Sequence, residues 1–405
     1  MHVCVLGAGI VGLATAYSLR RAGHEVTVLD RASPGSGASG GNGAQLSYSY
    51  VQPLADPGIW RQLPKLLLSP ASPLKLRPRL DPRQWLWGVQ FLAACRGSTS
   101  RSTTARLLEL AALSRQTFDA MMEEEQLDCD FSTTGKLVLY PDQPSFATAR
   151  RQMLLQRELG SQQEAVGADR CVEIEPALAS RHQHIAGAIY TPSECAADCL
   201  KICRALQAVL RRQGVRFLLG SPIEQLVLRS GSVVAAATPQ GPVEADQYVM
   251  ALGAHSPRLA RTLGMHLPIY PLKGYSITVE VGDAPRAAPS VSVTDSARKV
   301  VFARIGSRLR VAGMAELSGY DTAVFPAQIA SLKATTQTLF PQCSALTDVS
   351  PWAGMRPATP TGLPIIGRHA KGPRNLLFNT GHGALGFTLA FGSAQRISRL
   401  LSPCP

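Results

Sequence analysis

The chain opens with a strand, a glycine turn and a helix in immediate succession, and that order narrows its fold more than any other feature. Residues 2–6 (His-Val-Cys-Val-Leu) read as a β-branched strand, Gly7-Ala8-Gly9-Ile10-Val11-Gly12 follows, and Leu13 to Ala22 reads as a helix. Gly7 permits a tight turn, Gly9 presents no side chain to a pyrophosphate, and Gly12 lets helix and strand pack closely with the helix N-terminus toward the phosphates. A second strand, Glu25 to Leu29, ends at Asp30, an acid about 20 residues beyond the glycines and placed to accept from a ribose hydroxyl. Together these predict dinucleotide binding on a Rossmann-like α/β sheet.

The length of 405 residues predicts two or three domains, enough to enclose a large ligand between lobes. With 45% hydrophobic and 17% charged residues, a disordered tail, a collagen-like repeat and a disulfide miniprotein are excluded. No apolar run reaches the roughly 18 residues that span a bilayer, and Met1 leads straight into a strand, which predicts a cytoplasmic protein. The nine cysteines include no CxxC pair and are expected as reduced, mostly buried thiols. Cys195, Cys199 and Cys203 have the spacing of one helix face, and without nearby ligands at metal spacing that face is expected to pack rather than bind metal.

The formal charge of +13 attracts anions of many kinds. The arginines are scattered and no nucleic-acid module is present, so nucleic acid is not an expected partner. The local excess is clearest over 60–106, where Arg61, Lys65, Lys75, Arg77, Arg79, Arg83, Arg96, Arg101 and Arg106 accompany Trp60, Trp85 and Trp87. That composition suits a peripheral contact with the inner face of the cell membrane, or equally a solvated face with a buried aromatic side.

Further along, Ala38 to Leu46 is a small, polar loop with free amides for a pyrophosphate or flavin edge. A helix is expected from about Ala196 to Arg212, then a strand Val215 to Leu219, and a hairpin from Ile223 to Thr238 that adds strands to the same sheet. Gln247 to Ala251 reads as another buried strand, stopped by Leu252-Gly253-Ala254. From Leu267 the pattern is β-rich, with strands at Tyr275 to Val281, Lys299 to Arg304 and Leu309 to Gly313, and a helix near Pro326 to Leu339. The last motif, Phe378-Asn379-Thr380-Gly381-His382-Gly383-Ala384-Leu385-Gly386-Phe387-Thr388, opens a final helix to Leu401, whose N-terminal amides could stabilise negative charge on a flavin.

GAGIVGL at Gly7 to Leu13, Tyr270-Pro271-Leu272-Lys273-Gly274-Tyr275-Ser276, Gly313 to Glu316, Trp352 to Pro357 with Thr359 to Gly367, and Asn379 to Gly386 together resemble the FAD-binding subunit of bacterial D-amino acid dehydrogenases. These belong to the wider group of D-amino acid, glycine and sarcosine oxidases. The resemblance implies FAD as cofactor and an α/β fold: a discontinuous FAD-binding domain (1–90, 163–266, 350–405) and a β-rich substrate domain (91–162, 267–349). It implies that Val3, Gly7, Gly9, Ile10, Val11, Gly12, Asp30 and Arg31 serve the ADP half, with Ile223 at the adenine. Ser39, Asn42, Gly43, Ala44, Gln45 and Leu46 would line the pyrophosphate and flavin edge, and Gly253 would lie beside the cofactor. Gly381, His382, Gly383, Leu385, Gly386, Phe387 and Thr388 would cover the pyrimidine end.

Where the oxidases are expected to carry a carboxylate-binding arginine, two residues before the Gly of Gly-x-Arg-Pro, this chain has Trp352. Arg304 is therefore the first choice to hold a substrate carboxylate, with Tyr50, Tyr275 and Lys273 as further donors and His382 as a second contact. The acid usual after Thr-Pro is Thr361 here, and Ser193 to Asp198 lacks the usual run of acids. The implied reaction is hydride transfer from the Cα of a D-amino acid to flavin N5, giving an imino acid that hydrolyses to a 2-oxo acid and ammonia, with a quinone as electron acceptor. D-proline or cis-4-hydroxy-D-proline as substrate, an oxygen-using amine oxidase, and a non-catalytic FAD subunit are the alternatives.

Overall fold

The strand His2–Leu6 is buried on both faces along Val3 to Leu6, as an apolar run without alternation requires in a parallel sheet. It pairs in parallel with Glu25–Asp30 and Gln247–Met250, and Arg216–Leu219 and Leu376–Thr380 extend the parallel set outward. Ile365–Arg368 alone in this sheet runs antiparallel, at one edge. The computed structural model describes residues 1–60, 74–158, 161–281 and 287–402.

Successive side chains of the first strand point to opposite sides. Val3 and Val5 enter a core built with the helices Ile10–Arg21, Cys199–Arg212 and Gly386–Leu401. Cys4 and Leu6 enter a second core with Leu226, Val233, Tyr248 and Leu259.

A mixed sheet of nine described strands forms the other half of the molecule. Its long members are Ser350–Ala358, Tyr270–Glu280 and Arg308–Leu317, paired antiparallel. Val300–Ile305, Ser292–Asp295, Lys136–Tyr140, Gly187–Thr191 and Glu164–Val166 continue it. The helix Pro326–Leu339 packs on this sheet through Ile329, Leu332 and Leu339. Four hydrogen bonds fasten the sheet to residues 41–45, after the strand Glu25–Asp30: Ser276 Oγ donates to the Gly41 carbonyl (2.7 Å), Arg310 Nη1 to that of Asn42 (2.9 Å), and Gln45 Nε2 to those of Phe302 (3.1 Å) and Val293 (3.4 Å).

Several details depart from the sequence reading. The hairpin Gln225–Arg229 and Ser232–Thr238 does not extend the parallel sheet; with Gly241–Val243 it makes a separate three-stranded sheet. Gly220, at φ +71°, turns the chain after Arg216–Leu219, and the hairpin then lays Leu226 and Val233 over the face bearing Cys4 and Leu6. The three thiols do not share a helix. Asp198 caps the helix by accepting from the amides of Leu200 and Lys201, so Cys195 falls before it, in a strand paired with Gln45–Leu46.

The helix Gly97–Glu125, within the range assigned to the substrate domain, instead packs Leu107, Leu110, Ala111 and Phe118 into the core of the parallel sheet. Conversely, Glu164–Val166, Gly187–Thr191 and Ser350–Ala358, assigned to the FAD-binding domain, pair within the nine-stranded sheet. Among the described residues no helix is long and apolar enough to cross a membrane. Part of the basic segment, residues 61–73, lies outside the described residues.

The helices Gly97–Glu125 and Gly386–Leu401 touch where Gly392 has no side chain: a Cβ there would stand 2.5 Å from the Leu110 carbonyl oxygen and 2.7 Å from the Ser114 nitrogen. Gly392→Ala should therefore cost about 1–3 kcal/mol, read as a lower urea midpoint at unchanged slope. Gly88→Ala is the control, since nothing lies within 4 Å of its Cβ position in the helix Pro82–Ala94, and it should gain about 0.5–1 kcal/mol.

Candidate active site

The turn after the first strand is shaped by backbone contact. Gly7 has φ +116°, and a Cβ there would stand 2.6 Å from the Ala251 carbonyl oxygen; one on Gly12 would stand 1.9 Å from the carbonyl oxygen of Gly7. Both positions exclude any side chain. Gly9 differs, because its Cβ position meets only Ser39 Oγ, at 3.5 Å. Gly12 closes the turn and Gly9 leaves the space above it open.

That space belongs to a cavity of about 1880 Å³ between the two large sheets. Drug-sized ligands occupy roughly 300–1,000 Å³, so the cavity has room for a dinucleotide and a substrate together. Of the expected cofactor residues, Gly7, Gly9, Ile10, Val11, Asp30, Arg31, Ser39, Asn42, Gly43, Ala44, Gln45, Ile223 and Gly253 line it. His382, Gly383, Leu385, Gly386, Phe387 and Thr388 line it from the final helix. Val3, Gly12, Leu46 and Gly381 do not: Val3 and Leu46 are core residues, and Gly12 and Gly381 are packed beneath the turn and beside Thr359.

The lining is held by local hydrogen bonds. Asp30 accepts from the amides of Ala8 (2.6 Å) and Ala32 (3.0 Å), which fixes its carboxylate at the turn. Ser39 Oγ accepts from the Ile10 amide at 3.0 Å, and Asn42 Oδ1 from the Ala44 amide at 3.0 Å, where Ala44 takes φ +58°. Gly253 and Gly383 have positive φ with nothing within 4 Å of their Cβ positions, so both present bare backbone to open space. This glycine-lined cradle with an acid at its base fits FAD.

The expected substrate residues separate. Tyr50 and Tyr275 line the cavity, whereas Arg304 and Lys273 do not. Arg304 Nε donates to the Gly306 carbonyl at the turn ending its strand. Lys273 is fully buried, with Nζ 3.5 Å from Asp321 and over the Phe325 ring. Tyr275 donates its hydroxyl proton to buried Glu316 at 2.9 Å, and burial followed by that carboxylate raises its pKa. His382 is buried with Nε2 3.1 Å from Ser393 Oγ, and burial holds its pKa down to about 3, so the imidazole is neutral.

Two cations missed in the sequence take their places. Arg356 lines the cavity, donates to the Met314 carbonyl at 2.8 Å, and has no salt bridge among the described residues. Desolvation holds its pKa down to about 10. It stands beside Gly274, where a Cβ would meet the guanidinium at 2.4 Å. Lys136, fully buried and also lining the cavity, donates from Nζ to Ser47 Oγ at 2.8 Å. Arg356 lies inside the Trp352 to Pro357 segment and its arginine was the available signal. Lys136 carried only a weak one, a lysine opening the apolar run Leu137 to Tyr140. Trp352 fills the space over Gly41 and Gly354, which a Cβ on either would occupy.

A family model described as FAD dependent oxidoreductase (DAO) matches residues 2–400. "D-amino acid dehydrogenase 2" of Ralstonia nicotianae is 45% identical over 414 residues, covering 99% of this chain and 96% of that protein. The protein of the same name from Pseudomonas aeruginosa is 45% identical over 407 residues, covering 100% and 95%. Among solved structures, glycine oxidase from Geobacillus kaustophilus superposes with a TM-score of 0.77 at 20% identity, over 98% of this chain and 93% of that one. L-proline dehydrogenase from P. horikoshii gives 0.75 at 18% identity, over 99% and 92%. The chain belongs to the FAD dependent oxidoreductase family and is a flavoenzyme with FAD as its cofactor.

His382 supplies a pH test. Its folded pKa of about 3 lies below the usual 6.5, so the unfolded chain binds the extra proton first as pH falls, and stability drops between these values. Between pH 7 and 5 the wild type should lose about 2 kcal/mol more than His382→Gln, measured as the difference in urea unfolding free energy at the two pH values.

Proposed function

We propose that the chain is a D-amino acid dehydrogenase in which Arg356 binds the substrate carboxylate. The observation that carries this is the Arg356 guanidinium, which lines the cavity with a backbone carbonyl as partner and no carboxylate in ion-pair contact among the described residues. A buried cation without a counter-ion is costly unless a ligand supplies one, and a carboxylate can take the guanidinium fork bidentately. The names of the full-length relatives support a D-amino acid as the substrate class.

The cofactor would be held by the amides around Gly9, by Asp30, by the 39–45 loop and by the 382–388 segment, with the substrate between it and the nine-stranded sheet. Bound FAD supplies the acceptor for the Cα hydride, and the imino acid released hydrolyses in water to a 2-oxo acid and ammonia. Arg356 fixes the carboxylate, and Tyr50 lines the same cavity. Neutral His382 adds no charge beside the flavin site, while the N-terminal amides of Gly386–Leu401 favour negative charge there. Positioning carries the rate, with the amine unprotonated at transfer.

Two lobes, one on each large sheet, follow from this arrangement. A quinone acceptor reached from the inner membrane face is supported by the exposed side chains of Trp60, Trp85, Leu80, Leu86 and Val89 among the arginines of 77–83.

The test is anaerobic bleaching of the flavin by D- and L-amino acids, D-proline, cis-4-hydroxy-D-proline, sarcosine and glycine. Bleaching by linear D-amino acids is expected. Bleaching by the cyclic amines or by glycine and sarcosine alone would replace that substrate class, and peroxide release in air would replace the quinone. Arg356→Met should lower kcat/KM for D-amino acids on the order of 100-fold, with dithionite reduction of the bound flavin unchanged.

A further inference from the structure

Part of the cavity forms an arm at the strands Lys136–Tyr140 and Gly187–Thr191 and the helix Gln143–Glu158. Lys136, Tyr140, Met153, Gln156, Gln163 and Ile189 line it. Lys136 sits directly opposite Thr191, and Gln163 Nε2 donates to the Thr191 hydroxyl at 3.3 Å, so lysine and glutamine follow one another along one face of the sheet.

This arm is polar where a pocket for an aliphatic side chain would be apolar. Gln156 is 2% exposed and its Nε2 has no hydrogen-bond partner among the described residues; Gln163 Oε1 is likewise unpartnered among them. Lys136 is 3% exposed, and its ammonium, with three donors, has Ser47 Oγ at 2.8 Å and the Tyr50 ring at 4.4 Å. No carboxylate lies within salt-bridge distance of Nζ among the described residues. Glu194, the acid whose charge acts on it, is buried and accepts from the Ser49 amide at 2.7 Å. Asp142, which lines the cavity, is exposed and accepts from the Ser145 amide. Ser47, the partner of Lys136, receives its own backbone restraint from Thr388 at the start of the final helix (3.2 Å), so the arm opens beside the cofactor end of the cavity.

Resting on the D-amino acid reading above, we propose that Lys136 and Gln156 form the subsite for the substrate side chain and select one ending in a carboxylate, as in D-glutamate. Both residues bring N–H donors to the cavity lining, and a carboxylate supplies acceptors for them and a charge opposite to that of an ammonium compensated only by the field of buried Glu194. Desolvation holds the Lys136 pKa down to about 8, so the group is charged at neutral pH and ready for an anion. An apolar side chain in the same arm would leave the Gln156 amide and the ammonium unpaired, which is the stronger basis for rejection.

The experiment compares anaerobic flavin reduction by D-glutamate and D-norvaline at pH 7 in the holoenzyme. The wild type should favour D-glutamate by at least 10-fold in the second-order rate of bleaching. In Lys136→Met that preference should fall on the order of 100-fold and reverse, and in Gln156→Leu it should fall more modestly. Equal or better reduction by D-norvaline in the wild type overturns the subsite, and does so without any variant having to fold. An equal loss for both substrates in Lys136→Met, with the preference kept, also overturns it and makes Lys136 a structural lysine. If other D-amino acids bleach the flavin and D-glutamate does not, this inference alone fails; if no D-amino acid bleaches it, the dehydrogenase reading fails as well.

Discussion

The contact of the Ser39 to Ser47 loop with both large sheets is the constraint on which the site depends. At one end Ser39 binds the Ile10 amide at the start of the first helix; at the other, Gly41, Asn42 and Gln45 are tied to strands of the nine-stranded sheet. A loop this rich in glycine would be mobile alone, since glycine loses the most backbone freedom on ordering. Bonded on both sides it becomes the floor of the cavity. Arg310 shows what this demands: the residue is 7% exposed, with Nη1 donating to the Asn42 carbonyl.

A second constraint is steric. The Gly7 to Gly12 turn touches itself and Ala251 so closely that the local backbone has one arrangement, and the phosphate-facing side of Gly9 stays open as a consequence. Across the cavity the same device admits bulk: Gly41 and Gly354 yield their Cβ space to Trp352, and Gly274 yields its own to Arg356. Glycines on one wall exclude side chains so that a cofactor can approach. On the other wall they make room for Trp352 and Arg356, which line the cavity.

Charge is distributed with similar economy. The fixed cations of the surface network, such as Arg308 between Asp130 and Asp198, are compensated by protein carboxylates. Arg356 has no salt bridge among the described residues and Lys136 has only the field of buried Glu194; both line the cavity. An incompletely compensated buried cation costs stability, and that cost falls on this wall of the cavity, while the dinucleotide half is built from backbone amides and hydrogen-bonded loops.

The strand, turn, helix and acid of residues 2–30 were legible in the sequence because each depends on neighbours a few residues away: glycine where the backbone is crowded, apolar residues where both faces are covered. The helix Pro326–Leu339 and three of the seven described strands after Leu267 were legible for the same local reason. Other features depend on partners far along the chain. The hairpin at 225–238 left the parallel sheet because its apolar face met Cys4 and Leu6, and the helix Gly97–Glu125 joined the first core because Gly392 offered a seat. Arg304 and Lys273 looked suited to a carboxylate by residue type, but strand register turned them to Gly306 and Asp321. Sequence alone determined the kind of cofactor cradle, whose geometry is local. Which cations line the cavity was decided only in the tertiary structure, because a side chain's exposure to a cavity depends on the strands and helices that close around it.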